Sequence, residues 1–138
     1  MLFRSCGTIT YKIVNGRPRF LLVKQSFSDD AWGIPKGRME QNETYVQTAI
    51  RETFEETGIT VRIISQLPHV VTQKKNYKKI VVPFLASQTC DSQPNVGHHA
   101  CEVSSARWFD SLTLPKIYYY QVPIIDAALM TLEMKKYE

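Results

Sequence analysis

Gly37 to Ile59 read GRMEQNETYVQTAIRETFEETGI, a stretch that sets Glu43, Arg51, Glu52, Glu55 and Glu56 at fixed offsets from Gly37 and Gly58. The pattern predicts a helix from Tyr45 to Thr57 that stops at Gly58, a residue tolerant of the left-handed conformation. Asn42 and Thr44 are both able to cap its start. Val46, Ala49, Ile50 and Phe54 make its apolar side. At ~100° per helical residue, Glu56 lies about 40° to one side of Glu52 and Glu55 about 60° to the other. Like charges this close destabilise a helix by roughly 0.2–0.5 kcal/mol per pair. Glu55-Glu56 alone would read as a solvated face. The whole cluster instead asks for a neutralising cation, and hard oxygen ligands of this kind suit Mg²⁺ or Mn²⁺.

Working outward, residues 8–14 and 19–24 read as strands joined at Asn15-Gly16, a dipeptide suited to a two-residue hairpin turn. Trp32-Gly33-Ile34 is a short extended piece that leads into Pro35-Lys36-Gly37. After the helix, 60–72 and 79–88 read as Val- and Ile-rich strands on either side of the basic segment 73–78. Residues 89–101 are a loop, and Ser105 to Phe109 a further short strand. Pro123 suits the first turn of a last helix, on which Ile124, Ile125, Ala128, Leu129 and Leu132 form one stripe. Strands around a functional helix, with a second helix at the end, predict an α/β fold whose mixed sheet is covered on both faces.

The 138 residues fit one domain, residues 1–138, with a single core. A hydrophobic content of 43% and a charged content of 22% are ordinary for a globular protein. No apolar run approaches a membrane span, and the opening MLFRSCGTITYK has no signal-peptide core. Cys6, Cys90 and Cys101 make an odd number, which fits a reducing cytoplasm rather than a disulfide framework. Cys90, His98, His99 and Cys101 follow no zinc-finger spacing. A net charge of +4 suits a phosphate-rich small substrate and does not by itself imply nucleic acid.

The opening stretch resembles the Nudix hydrolase signature, G-x5-E-x7-R-E-U-x-E-E-x-G-U with U apolar. Gly37, Glu43, Arg51, Glu52, Glu55, Glu56, Gly58 and Ile59 occupy its positions; Thr53 departs, standing where the family has an aliphatic residue. The resemblance implies a Nudix-type α/β/α sandwich and metal-dependent opening of a phosphoanhydride. It makes Glu56 the first metal ligand, with Glu52, Glu55 and the backbone carbonyl of Lys36 next. Glu43 and Arg51 read as braces, Arg51 orienting a metal-binding carboxylate. Glu102, six residues before Trp108, matches a downstream glutamate of diadenosine tetraphosphate hydrolases and is a candidate ligand or base. Whether Glu52 or a downstream carboxylate takes the proton stays open.

The form Trp32-Gly33-Ile34-Pro35-Lys36-Gly37 resembles hydrolases of dinucleoside polyphosphates, inositol pyrophosphates and RNA 5′ ends. Tyr77 resembles a tyrosine of the dinucleoside polyphosphate enzymes, and Lys74, Lys75, Lys78 and Lys79 surround it. Lys36, Lys75, Lys79 and Tyr77 are therefore the candidate substrate contacts. Trp32 reads as packing; the run Tyr118-Tyr119-Tyr120 reads first as packing near the final helix, with the lining of a nucleotide pocket as the alternative. The substrate implied is a small nucleotide, first a dinucleoside polyphosphate, with an inositol pyrophosphate or an RNA 5′ end as alternatives. A Nudix-fold regulator that binds nucleotide without cleaving it is the reading from another class, and the intact carboxylates speak against it.

Overall fold

The computed structural model describes residues 1–27, 30–96 and 102–136. Its strands are β1 (Leu2–Val14), β2 (Arg17–Gln25), β3 (Trp32–Gly33), β4 (Lys36–Arg38), β5 (Val61–Gln66), β6 (Val70–Gln73), β7 (Lys78–Gln88) and β8 (Val103–Asp110). Helix α1 spans Tyr45–Thr57, and α2 spans Val122–Lys135 after a 3₁₀ turn at Tyr119–Gln121. β1 and β7 pair in parallel and the remaining pairs are antiparallel, so the sheet is mixed.

Alternation along the central strands divides the core into two layers. Ile9, Phe20, Leu22, Val81 and Leu85 pack with Ile124, Ile125 and Ala128 of α2. Cys6, Val82 and Phe84 pack with Ala49 of α1, and Leu21 and Ala86 pack with Ile59 just beyond it. Neighbouring residues thus face opposite helices, which gives the expected α/β/α sandwich.

Asn15 and Gly16 both take positive φ, 53° and 79°, as a two-residue hairpin turn between β1 and β2 requires. The first strand begins at Leu2 rather than residue 8, because its start runs parallel to β7 from Leu2↔Lys78 onward. The segment expected as one strand over 60–72 divides into β5 and β6. Between them Leu67 is buried and its amide bonds the Pro83 carbonyl (2.9 Å), while Pro68 follows. β1 is also shared: it holds β2 from Thr10 to Val14 and β4 from Ser5 to Gly7. That splay brings β4, with Lys36 and Gly37, beneath α1.

Thr44, not Asn42, caps α1: its hydroxyl accepts from the Gln47 amide (3.1 Å), and the Gln47 side chain accepts from the Thr44 amide (2.9 Å). Asn42 instead takes positive φ in the preceding loop. The buried side of α1 also differs from the apolar side expected. Val46 and Phe54 are exposed, whereas Thr48, Ala49, Thr53, Glu56 and Thr57 are buried. The hydroxyls explain it. Thr53 Oγ1 donates to the Ala49 carbonyl (2.8 Å) and so accepts from Thr8 Oγ1 (2.8 Å), which in turn accepts from Thr10 Oγ1 (2.8 Å). Thr53, the departure from the signature, docks the helix on β1 through this chain of hydroxyls.

Candidate active site

Of the signature carboxylates Glu56 is buried, while Glu43, Glu52 and Glu55 are half-buried. Glu56 is 4% exposed and accepts from the Lys36 amide through Oε1 (3.3 Å). Burial, helped by the charges of Glu52 and Glu102, pushes its carboxyl up to about 8, against the Lys36 amide and ammonium. Glu52 is raised chiefly by burial; Arg51 opposes this, while Glu55 and Glu102 reinforce it. Its carboxylate lies over Gly37, where a Cβ would stand 2.1 Å from Cδ. That close approach is why the first motif position needs glycine.

Arg51 holds the rest together. Its Nε and Nη2 donate to the two oxygens of Glu43 (2.6 and 3.0 Å), and Nη2 also donates to the Arg38 carbonyl (3.0 Å). Nη1 donates to Glu52 Oε1 (2.9 Å) and Glu55 Oε2 (3.0 Å). Glu43 further accepts from the Thr48 hydroxyl (2.8 Å) and the Glu40 amide (2.8 Å). Hydrogen bonds from Arg51, then from the Glu40 amide, hold the Glu43 carboxyl down at about 2. The expected bracing of loop against helix is thus present in the structure.

A cleft of about 770 Å³ opens beside this cluster, with Lys36, Gly37, Glu56, Lys79 and Glu102 among its lining residues. Lys74, Arg38, Ser5, Gln25 and Phe27 also line it, as does the run from Tyr118 to Gln121. The Lys36 and Lys79 amino groups are close neighbours, and both are lowered, Lys79 to about 8. Burial is the main cause for each, and at Lys79 the charge of Lys36 comes next. Two desolvated amines with a shared deficit of negative charge make a place for an anion.

Glu102 is held near by the Ser26 amide, which donates to its carbonyl (3.0 Å). Two other sequence candidates fall elsewhere. Tyr77 packs edge-on against Phe3 (5.2 Å between centroids), and with Lys75 it borders a separate hollow near Met1 and Leu2. The turn between β6 and β7 carries both residues past the cleft, and Lys74 takes the lining place expected of Lys75. Glu55 is committed to Arg51 rather than presented to the cleft. Cys90 is exposed with a free thiol, while His98, His99 and Cys101 lie outside the described residues.

The tyrosine run is the main correction. It lines the cleft rather than merely packing on α2, because Gln121 ties it there. Gln121 Oε1 accepts from the Ile34 amide (2.7 Å), and Nε2 donates to Tyr120 Oη (3.0 Å). Gly33 makes room, since a Cβ there would sit 2.6 Å from Gln121 Oε1. Three successive tyrosines were a visible signal; the position of Phe27 left none.

The donor set fits a hard divalent cation. Glu52 raises the proton affinity of Glu56, and Glu102 raises that of both, a repulsion such an ion would relieve. Among the described residues no three carboxylate, imidazole or thiolate groups are already gathered at ligand distance, so an ion held by these side chains would require their rotation. No described helix is long and apolar enough to cross a membrane.

The NUDIX domain model matches residues 7–126. Phosphatase NudJ of Shigella boydii is 26% identical over 121 residues, covering 85% of this chain and 76% of that protein. The crystal structure of a C. elegans Ap4A hydrolase binary complex matches with a TM-score of 0.70 at 25% identity, over 98% of this chain and 94% of that one. A MutT NUDIX hydrolase from Burkholderia pseudomallei matches with a TM-score of 0.75, over 92% of this chain and 98% of that one. At 21% identity, that last likeness speaks for the fold alone.

Proposed function

This chain belongs to the Nudix family, and from that premise we propose that it hydrolyses a phosphoanhydride of a nucleoside diphosphate-linked compound, preferring a dinucleoside polyphosphate such as diadenosine tetraphosphate. Family membership makes it a hydrolase. The observation that carries the substrate reading is one cleft containing buried Glu56, Glu102 and the Lys36–Lys79 amine pair. The likeness to an Ap4A hydrolase supports the same choice.

Glu52 and Glu56, with Glu102, the Lys36 carbonyl and Glu55 once released from Arg51, would hold Mg²⁺ or Mn²⁺. When bound, such an ion neutralises phosphate oxygens and lowers the pKa of an attacking water. The chain's own residues do the rest. Lys36 and Lys79 bind phosphate oxygens as compact charges. Arg51 orients Glu52 from behind, a positioning role that its rigid fork suits. A carboxylate, Glu52 or Glu102, accepts the proton of the water. The single domain 1–138 performs this on a small nucleotide in the cytoplasm.

An inositol pyrophosphate is the second reading, favoured by Lys74 joining the lysines of the cleft. A panel of diadenosine tetraphosphate, inositol pyrophosphate, RNA bearing a 5′ triphosphate and ADP-ribose, assayed with Mg²⁺ or Mn²⁺, tests the choice. The proposal expects the highest kcat/KM on diadenosine tetraphosphate, and preference for either of the next two would overturn it.

A further inference from the structure

Lys12 and Arg19 stand directly opposite one another on β1 and β2, two cations facing across an antiparallel pair. Like charges so placed destabilise a sheet. Arg19 has Asp110 on its other side, on β8, but that carboxylate is already taken. Its oxygens accept from Arg17 Nε and Nη2 (2.6 Å for the shorter bond) and from the Leu112 amide (2.9 Å). Trp108 lies two residues before Asp110 on β8 and so on the same face. The Lys12 ammonium sits 4.5 Å from the centre of its indole ring. Strand pairing thus gathers Lys12, Arg19 and Trp108 at one place, beyond the point where Leu21 meets Ile59 at the end of α1.

Two nitrogens there are unanswered. Arg19 Nε and Trp108 Nε1 are buried and have no hydrogen-bond partner among the described residues. Both can only donate. Buried donors left so are costly unless something else meets them. A water supplies an acceptor but no charge, and it leaves the Lys12–Arg19 repulsion in place. An anion answers both. All three residues are half-buried, so each keeps part of its surface in solvent and a ligand has a way in.

We propose that Lys12, Arg19 and Trp108 form an oxyanion-binding site, separate from the hydrolytic cleft, that takes inorganic phosphate or the phosphate group of a mononucleotide. The Arg19 and Trp108 N–H groups donate to oxygens of one tetrahedral group, and the Lys12 ammonium adds a compact charge. Lys12 lies seven residues along β1 from Ser5, which lines the cleft, a separation of about 23 Å at ~3.3 Å per residue. An ion held here touches none of the groups that hold substrate, so the site stands whether or not the cleft is hydrolytic.

The indole N–H of Trp108 reports the site directly. Inorganic phosphate is titrated into ¹⁵N-labelled protein without added metal, with sodium chloride and sodium acetate at equal ionic strength as controls. The indole signals of Trp32 and Trp108 are followed, and Trp108→Phe assigns them. Phosphate should move the Trp108 signal saturably and leave that of Trp32 in place. Lys12→Gln and Arg19→Gln should each raise the apparent Kd roughly ten-fold, the loss of one charge-assisted contact. Lys79→Gln, in the cleft, should leave the Kd unchanged. If Arg19→Gln fails to fold, the half-exposed Lys12→Gln carries the comparison. AMP in place of phosphate separates the two sources: a Kd at or below that of phosphate assigns the site to a mononucleotide, and a higher one assigns it to the free ion. The proposal is overturned by a Trp108 signal that stays in place, or that moves equally with chloride or acetate. A response equal in wild type and Lys12→Gln, or lost in Lys79→Gln, would overturn it as well.

Discussion

Gly37→Ala separates activity from stability in a way the geometry makes explicit. A Cβ at this position meets Glu52 Cδ at 2.1 Å and both carboxylate oxygens at 2.3 Å, against an ordinary contact of 3.4 Å or more. The obstacle is the far end of a flexible side chain, so the carboxylate retreats by roughly 1 Å while the backbone stays. Gly37 does not require a positive φ, so alanine adds no backbone strain. Fewer unfolded conformations contribute about 0.4–1 kcal/mol in favour of the folded state. Weakening the hydrogen bond from Arg51 to Glu52 costs about 1 kcal/mol. The two nearly cancel, and Tm should move by no more than about 4 °C. A catalytic group misplaced by about 1 Å can cost on the order of 10²-fold in rate. Thermal melts beside steady-state kinetics on diadenosine tetraphosphate measure both. A variant with wild-type kcat would refute the placement of Glu52. So would a Tm loss above about 10 °C, since the strain would then have moved the helix and not the side chain.

Three further outcomes follow from named contacts. Thr53→Val strands the Thr8 hydroxyl against an apolar group and should cost about 1–3 kcal/mol in denaturant unfolding, with Thr53→Ser close to wild type; equal loss in both would mean the hydroxyl chain is not what docks α1. Glu43→Gln should be less stable than wild type at pH 5–7. Because the folded-state pKa of Glu43, about 2, lies below its unfolded value of 4.5, the gap should close as pH falls from 4.5 toward 2; a gap constant to pH 2 would contradict the Arg51 brace. Glu56 shows the opposite sign. Its pKa of about 8 means wild-type stability without metal declines as pH rises from the ordinary carboxylate range to 8, so Glu56→Gln should gain Tm relative to wild type over that window in chelator. Parallel Tm–pH curves would show that burial does not raise this group.

The helix and its ends were legible because local chemistry decides them. Gly58 takes positive φ and stops α1, as its freedom allows, and the hairpin at Asn15-Gly16 follows from the same physics. Glu52 and Glu56 were legible through spacing on one helix. What escaped depends on partners distant in sequence. Thr53 is buried because Thr8 and Thr10 on β1 complete its hydrogen bonds, so a polar residue occupies the face that periodicity reserves for apolar ones. Tyr118 to Tyr120 border the cleft because Gln121 reaches Ile34, a contact that no local pattern encodes. Tyr77 and Lys75 share a lysine-rich segment with Lys74 and Lys79, yet strand geometry sends only the latter two toward the carboxylates. Composition located the charge; register chose which charges converge.

Glu56 holding a divalent ion beside Glu52 is the step on which hydrolysis here turns. Titrating Mn²⁺ into wild type and Glu56→Gln, with free ion followed by electron paramagnetic resonance, measures this without substrate or turnover. Saturable binding by wild type, weakened at least ten-fold in the variant, is the expected result. Equal affinity in the two proteins would contradict it.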